Sequence, residues 1–489
     1  MSKRLLKGLL ITLLTILIIL LLIPFFIGIN AKRNYFHLIS VLNKEHPGQF
    51  QILDYQLGWF HSKAVININI PINLFDNQIK LPFLNLENTF IQHITHGPFV
   101  YNDSKRRFSF AIAKIKSYFP SQNISSASDN HIANLMKITT LIYPNGNWIN
   151  YIMIPANEYQ VKSDQSIKWQ GLNGYIQLNT DYHSIKKIKT DFEVGKFTLF
   201  NNHLNLLAYT LSFNHAHYQN SISQKQLHTW EGNGQLDLSM NDLKLFLMMK
   251  LSFNMQLDKL KINSTFKSDR QYLHYFNTTL EFDNAKFNNK DIPNITSGKI
   301  STTLTDLNTS KIMNPSSKNT NMSLLALNDL YTQKILTTIT AKTQLKYQLN
   351  FQTIYGPLLI DGVFFLGKQS LPKTIEELQN KMDYQINVKA PTNLVNRIIS
   401  IVEKEKTTQL NTNLSTTSSP FKLWLDNAIK AGYILLNNNE YIINLKKDND
   451  TVSINGKKIN PSNTQPISNL PPQTVPQPGK MNQPLSSPH

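Results

Sequence analysis

Two histidine pairs carry the spacing closest to a metal site. In His93-Ile94-Thr95-His96 the imidazoles lie three residues apart, a spacing that lets two ligands share a helix face around zinc. Gly97-Pro98 follows directly and blocks a helix, and no third ligand stands nearby, so a structural turn is expected. In His215-Ala216-His217 the i, i+2 spacing on a strand would aim both rings the same way. The chain holds 13 histidines, so such pairs arise readily without a ligand role. Nucleophilic catalysis lacks a signature, because there is no Gly-x-Ser-x-Gly elbow and no cysteine. Gly232-Asn233-Gly234 lacks the Lys and the following Ser or Thr of a phosphate loop. The acidic pairs Glu376-Glu377 and Asp448 with Asp450 read as solvated surface. Triads can assemble from distant positions, but no local pattern points to one. No catalytic, cofactor-binding or metal-binding residue is assigned, and a non-enzymatic protein without a cofactor is expected.

The elements that position these residues are mostly strands. In Val65 to Ile72 the isoleucines share one face and the asparagines the other, the pattern of a half-buried strand. The alternation returns at Phe108 to Ile112, Leu204 to Leu206, Leu236 to Met240 and Leu345 to Phe351. Many strands with one wet and one apolar face predict large antiparallel sheets covering a core or a groove. Helical spacing is expected over 35–45, 323–339, 371–382, 391–402 and 420–431, with Gly432 suited to ending the last. Ser/Asn-rich stretches over 121–130 and 314–321, and the Pro/Gln/Ser-rich chain from Ser462 onward, are expected to be disordered.

The strongest feature lies at the start. From Gly8 to Ile29 no side chain is charged, and only Thr12, Thr15 and Pro24 interrupt the apolar run. As a helix it is roughly 30 Å long, the thickness of a bilayer core. Ile29 stands where a cleavage site after Ala31 would need a small residue, so an uncleaved anchor is expected. Lys3, Arg4 and Lys7 before the run against Lys32 and Arg33 after it favour a cytoplasmic N-terminus by a narrow margin. No second apolar run is long enough to span, so one crossing is expected, with the bulk outside the cytoplasm. A chain without cysteine fits an oxidising compartment. The excess of 49 Lys and Arg over 31 Asp and Glu gives +18, spread along the chain without an Arg-rich block. That spread argues against nucleic acid and suits either an anionic lipid surface or a generally basic exterior.

Short marks along the chain carry a resemblance. Tyr55-Gln56-Leu57-Gly58-Trp59-Phe60-His61-Ser62-Lys63-Ala64 leads into a strand, followed by His96-Gly97-Pro98-Phe99, Trp169-Gln170-Gly171-Leu172 and a closing Val452-Ser453-Ile454-Asn455-Gly456-Lys457 after Ala431-Gly432-Tyr433. In this order they resemble the YdgA-like family of bacterial inner-membrane proteins, a family of unknown function. The chain departs from that pattern at Glu231-Gly232 and in its proline-rich tail. The resemblance implies an inner-membrane anchor and a periplasmic bulk, and it transfers no catalytic residue. Tyr55, Gly58, Trp59, Phe60, Ser62, Ala64, His96, Gly97, Pro98, Trp169, Gly171, Asn455 and Gly456 read as architecture.

The expected fold is mainly β with an α+β C-terminal part, its large antiparallel sheets following one N-terminal transmembrane helix. The expected layout is a cytoplasmic tail over 1–7, an anchor over 8–30, a helical stalk over 31–46, a mainly β region over 47–310, an α+β region over 311–461 and a tail over 462–489. The leading functional expectation is a membrane-anchored envelope protein that binds a lipid-like molecule, or another envelope protein, through a β groove. The alternatives are a homodimeric structural or assembly factor and an enzyme acting on an envelope polymer.

Overall fold

The computed structural model describes residues 22–37, 39–40, 43, 49–68, 89–103, 106–118, 136–162, 165–181, 184–203, 207–226, 228–247, 251–287, 292–310, 336–366, 371–410, 420–449 and 451–459. In chain order the strands are Phe50–Gln56 (β1), His61–Ile68 (β2), Thr89–His96 (β3), Phe99–Asn102 (β4), Arg107–Phe110 (β5), Ala113–Tyr118 (β6), Lys137–Ile142 (β7), Asn147–Ile154 (β8) and Asn157–Lys162 (β9). They continue as Gln165–Trp169 (β10), Leu172–Thr180 (β11), Ile185–Val194 (β12), Phe197–His203 (β13), Leu207–Gln226 (β14), Thr229–Leu247 (β15), Leu251–Gln256 (β16), Lys259–Ser268 (β17) and Tyr272–Phe287 (β18). The last are Ile295–Asn308 (β19), Gln344–Thr353 (β20), Gly356–Leu366 (β21), Met382–Pro391 (β22), Leu435–Asn437 (β23), Glu440–Asp448 (β24), Thr451–Ile454 (β25) and Lys457–Ile459 (β26).

Among the described residues, all strands but β4 and β5 join one 24-stranded sheet. Its spine is antiparallel throughout and nearly sequential, running β1-β2-β3-β6-β7-β8-β11-β12-β14-β15 and then β17 to β22, β24, β25 and β26. Such neighbour-to-neighbour pairing follows from short connections between antiparallel strands. The strand expected over Phe108 to Ile112 is instead the second arm of a separate hairpin, β4–β5. Leu204 to Leu206 lie outside the described residues.

A helix over 22–37 and 39–40 precedes the sheet and lies on it. Its buried Ala31, Tyr35 and Ile39 pack against Ala64, Ile66, Ile94, Ala113, Ile115, Ile142 and Trp148, which form the largest core cluster. Residues expected as a stalk are thus part of the core. The expected cytoplasmic tail, 1–7, and the first part of the expected anchor, 8–21, lie outside the described residues, and among those described no helix is long and apolar enough to cross a membrane.

Three helices decorate the far end of the sheet. Ile375–Lys381 begins at Thr374, whose hydroxyl accepts from the Glu377 amide while the Glu377 carboxylate accepts from the Lys373 amide, a reciprocal cap. Thr392–Leu410 and Pro420–Lys430 follow. The last ends at Gly432, whose φ of +71° and amide bond to the Ile429 carbonyl close the final turn. Of the helix expected over 323–339 only 336–339 is described, with 336–338 as a single helical turn. The stretches expected to be disordered lie outside the described residues.

Ala64 and Ala113 are wholly buried where the helix meets the sheet, so neither tolerates a larger side chain. Ala64→Leu is expected to destabilise this unit by about 1–3 kcal/mol through overpacking, read as a lower urea midpoint by Trp fluorescence.

Candidate functional site

Strand pairing brings the first two family marks together under the N-terminal helix. Ser62 in β2 and His96 at the end of β3 are each only 4% exposed. The imidazole Nδ1 lies 3.1 Å from the Trp59 carbonyl, which can only accept, so Nδ1 carries the proton. Nε2 is then the acceptor for the Ser62 hydroxyl at 2.9 Å. Burial lowers the His96 pKa below 6.5; hydrogen bonds to the Trp59 and Pro24 carbonyls pull the other way, and the charge of His61 lowers it further.

A serine hydroxyl on an imidazole is the geometry of a nucleophile and its base. Here Gly28 of the helix closes over the ring, so that a Cβ at position 28 would overlap the His96 imidazole. Phe25 of the same helix stacks obliquely on Trp59 with ring centroids 5.0 Å apart. Tyr35 donates to the Gln92 side chain, and burial pushes its hydroxyl pKa up. Lys32 lies over the Tyr55 ring at 5.3 Å. As folded, the Ser62–His96 bond joins two neighbouring strands, and the N-terminal helix packs over it with both side chains buried.

The remaining marks are also joints. Gly97 lies so close to the Ala111 carbonyl that a Cβ there would collide with it, and its bond to Pro98 is cis. The Trp169 indole donates to the Pro155 carbonyl at 2.8 Å, and Gly171, at φ +114°, makes the turn into β11. Asn455-Gly456, both at positive φ, form the tight turn of the β25–β26 hairpin. The Asn455 side-chain amide donates to the Tyr433 carbonyl at 2.9 Å, which explains why Tyr433 and Asn455 belong to one mark.

The first histidine pair separates, while His215 and His217 stay on one face, opposite Ser239 and Asp237. His93 and His96 point to opposite faces of β3, and His93 meets Tyr118 edge-on. His217 bonds to Asp191 at 3.0 Å and to Gln219, a ladder on the wet face of the sheet. Among the described residues no group of three or more His, Asp or Glu could hold a metal.

The largest coherent feature is one that no single motif announces. Direct cross-strand partners carry an apolar row from Phe192 through Tyr218, Leu236, Ile262, Leu280, Ile300, Leu349, Ile360 and Val388 to Ile443. One residue along each strand, on the other face, a second row reads Asp191, Gln219, Gln235, Asn263, Thr279, Ser301, Gln348, Asp361, Asn387 and Asn444. No apolar side chain of β11, β12, β17, β19 or β20 is fully buried; each stays half-buried or exposed. Among the described residues the apolar face therefore starts under the helix and continues beyond it mostly half-buried, with a second buried cluster where Leu257 and Ala285 pack with Leu238, Leu260 and Phe282.

Glycines shape that face. Phe192 lies across Gly174, Phe266 across Gly232, Phe282 across Gly298 and Tyr347 across Gly362, each ring occupying the space where a Cβ would be. Gly298 sits directly between Phe282 and Phe351, whose centroids are 6.0 Å apart. Rings laid flat over glycines make a low floor, a use of strand glycine that favours close approach of a ligand. Of Gly232-Asn233-Gly234, Gly232 is explained in this way, while Gly234 lies across the Ser264 hydroxyl.

The wet face holds open depressions of about 450 and 420 Å³, the first lined by Gln348, Asp361 and Asn387 and the second by Asp191, Gln219 and Asn263. Its groups already bond to one another, as Asn387 does to Asp361 at 2.8 Å and Asn444 to Asn387 at 2.8 Å. A third depression of about 770 Å³ is lined by Asp103, Lys116, Tyr118, Tyr151 and Met153.

A model of the family described as bacterial protein of unknown function (DUF945) matches residues 1–462. No curated protein and no solved structure matches the chain.

Two outcomes test the junction. Gly28→Val should undock the helix, read as faster hydrogen exchange over residues 22–40. A base with a lowered folded-state pKa binds fewer protons folded than unfolded, so docking is full above about pH 6.5 and weakens as pH falls. His96→Asn should flatten that pH dependence of exchange between pH 7 and 5.

Proposed function

The chain belongs to the DUF945 family of bacterial proteins of unknown function, and from that premise we propose that it is a membrane-anchored protein whose sheet holds lipid acyl chains. The apolar face, half-buried over much of its length among the described residues, carries the reading. From β11 to β21 the strands follow one another at about 4.8 Å, a run longer than the roughly 30 Å apolar thickness of a bilayer. Its side chains are aliphatic and aromatic, with rings lowered onto glycines, and no charged residue stands in the row from Phe192 to Ile443. An acyl chain burying eight methylenes there gains about 6 kcal/mol before the cost of immobilisation.

Support for the anchor comes from the sequence. The last part of the apolar run Gly8 to Ile29 is the start of the helix that docks on Trp59 through Phe25 and on His96 through Gly28, which leaves the earlier part of the run to enter the bilayer. In this reading the N-terminus is cytoplasmic, the sheet lies in the periplasm of the inner membrane, and the apolar face begins beside the bilayer that supplies its ligand. The wet face stays in solvent.

Native mass spectrometry of the full chain, extracted gently from its own membranes, tests the reading. The expected result is a mass excess matching a phospholipid or glycolipid. Ile300→Asn with Leu349→Asn, which places two amides in the middle of the row, should remove most of that adduct. Gly298→Leu, which lifts the Phe282 and Phe351 rings, should reduce it too. A clean protein mass, or a dimer mass without adduct, would set the lipid reading aside and favour assembly through protein contacts.

A further inference from the structure

We infer that the β4–β5 hairpin is a membrane-interface wedge, pressing its aromatic face into the headgroup region of the bilayer that anchors the chain. Cross-strand pairing puts Phe99 opposite Phe110 and Tyr101 opposite Phe108, all four on one face. Each pair meets edge to face, with centroids 5.8 and 5.4 Å apart. That face is turned outward: Phe99 is 67%, Phe108 70% and Phe110 60% exposed. Four aromatic rings in one exposed cluster are far more than scattered surface apolarity explains.

The other face of the hairpin fixes it to the sheet. Val100 is buried with Ala111 and Leu141 beneath it. Lys114 donates to the Tyr101 carbonyl at 2.6 Å, and Asp103 at the turn pairs with Lys114 at 2.8 Å and Lys116 at 2.9 Å. Burial alone would raise the Asp103 pKa, yet hydrogen bonds and charge from the two lysines hold it below the usual carboxylate range. The ribbon is thus clamped with its rings presented, which limits the ordering entropy lost on contact.

Its place in the fold selects the partner. The hairpin springs from Gly97-Pro98, next to His96, and His96 is the residue over which Gly28 closes. Gly28 stands at the end of the apolar run, so this edge of the sheet is the one nearest the membrane. Phe26, Trp59 and Phe60 are exposed at the same edge. Aromatic rings concentrate at the membrane–water boundary, where ring and headgroup chemistry match. Arg106 and Arg107 at the turn add positive charge for lipid phosphates. A second protein would equally bury apolar rings, but the rings' position beside the anchor favours lipid.

The inference rests on the anchored reading, and the test separates the two. The chain has no cysteine, so a single spin label can be placed without altering other sites. Full-length protein carrying Leu17→Cys, Phe108→Cys, Phe110→Cys or Lys458→Cys is reconstituted in vesicles of phosphatidylethanolamine and phosphatidylglycerol. Label depth is read from collisions with oxygen against a water-soluble nickel chelate. The expected result is position 17 deep, 108 and 110 at headgroup depth with a several-fold higher oxygen-to-nickel ratio than 458, and 458 in water. Position 17 deep with 108 and 110 as wet as 458 would overturn the wedge and leave the anchor standing. Position 17 in water would remove both.

Discussion

Parity of strand pairing is the constraint on which the rest of this molecule depends. In an antiparallel ladder, residues directly opposite each other share a face, and a slip of one residue turns the whole strand over. From β12 to β24 the partners keep an apolar row on one face and an amide, hydroxyl and carboxylate row on the other. Bulges occur, as between Phe213 and His215 or Asn179 and Thr180, yet they fall where a register shift leaves this row intact. The penalty for a slip is high because it would put Lys, Asp and Asn among Leu and Phe while exposing the latter. Register thus keeps the sheet two-faced over its length, and a two-faced sheet needs something against its dry side.

The N-terminal helix meets that need at one end. Ala31, Tyr35 and Ile39 close the floor formed by Ala64, Ile94 and Ala113, where small residues let the helix backbone come near. Ser62 and His96 add a directed bond beside this floor, with the imidazole held from its other nitrogen by the Trp59 carbonyl. A neutral, singly protonated ring is the form that satisfies both neighbours, and burial favours that form. The joint is therefore a packing contact of helix on sheet beside a fixed hydrogen-bond pattern within the sheet.

Much of this architecture is legible in the residues, and the parts that are not have physical reasons. Alternation in Val65 to Ile68 and Leu345 to Phe351 announces strands, and Asn455-Gly456 announces a hairpin turn, because each depends on neighbours alone. The helices ending near Gly432 and starting after Thr374 follow from local caps. The Ser62–His96 bond spans 34 residues and rests on β2–β3 pairing, so spacing could not reveal it. Phe108 and Phe110 alternate like any strand; only the bend at Gly97-Pro98 tells that they leave the main sheet. Gly232 and Gly298 look like interruptions in the sequence and prove to be seats for Phe266 and Phe282, each on the next strand. Apolarity in single strands reads as core, whereas its continuation past the helix emerges only from the complete register.

That continuation separates a groove from an unfinished core. A closed core gains by interdigitating large side chains to crystal-like density, and its sequence would place bulk where this sheet places glycine. Here Gly174, Gly232, Gly298 and Gly362 recur on the dry face and each lowers an aromatic ring into the sheet. Alanine at any of them would put a methyl group in the space the ring occupies, while glycine costs backbone entropy on folding, so their presence on one face argues for a surface kept shallow. A shallow apolar strip, wet on its reverse and rooted at a helix that continues an apolar run, is the feature on which the proposed acyl-chain reading rests. The wet face, whose amides and carboxylates already satisfy one another through Asn387, Asp361 and Asn444, leaves that strip as the surface with unmet demand.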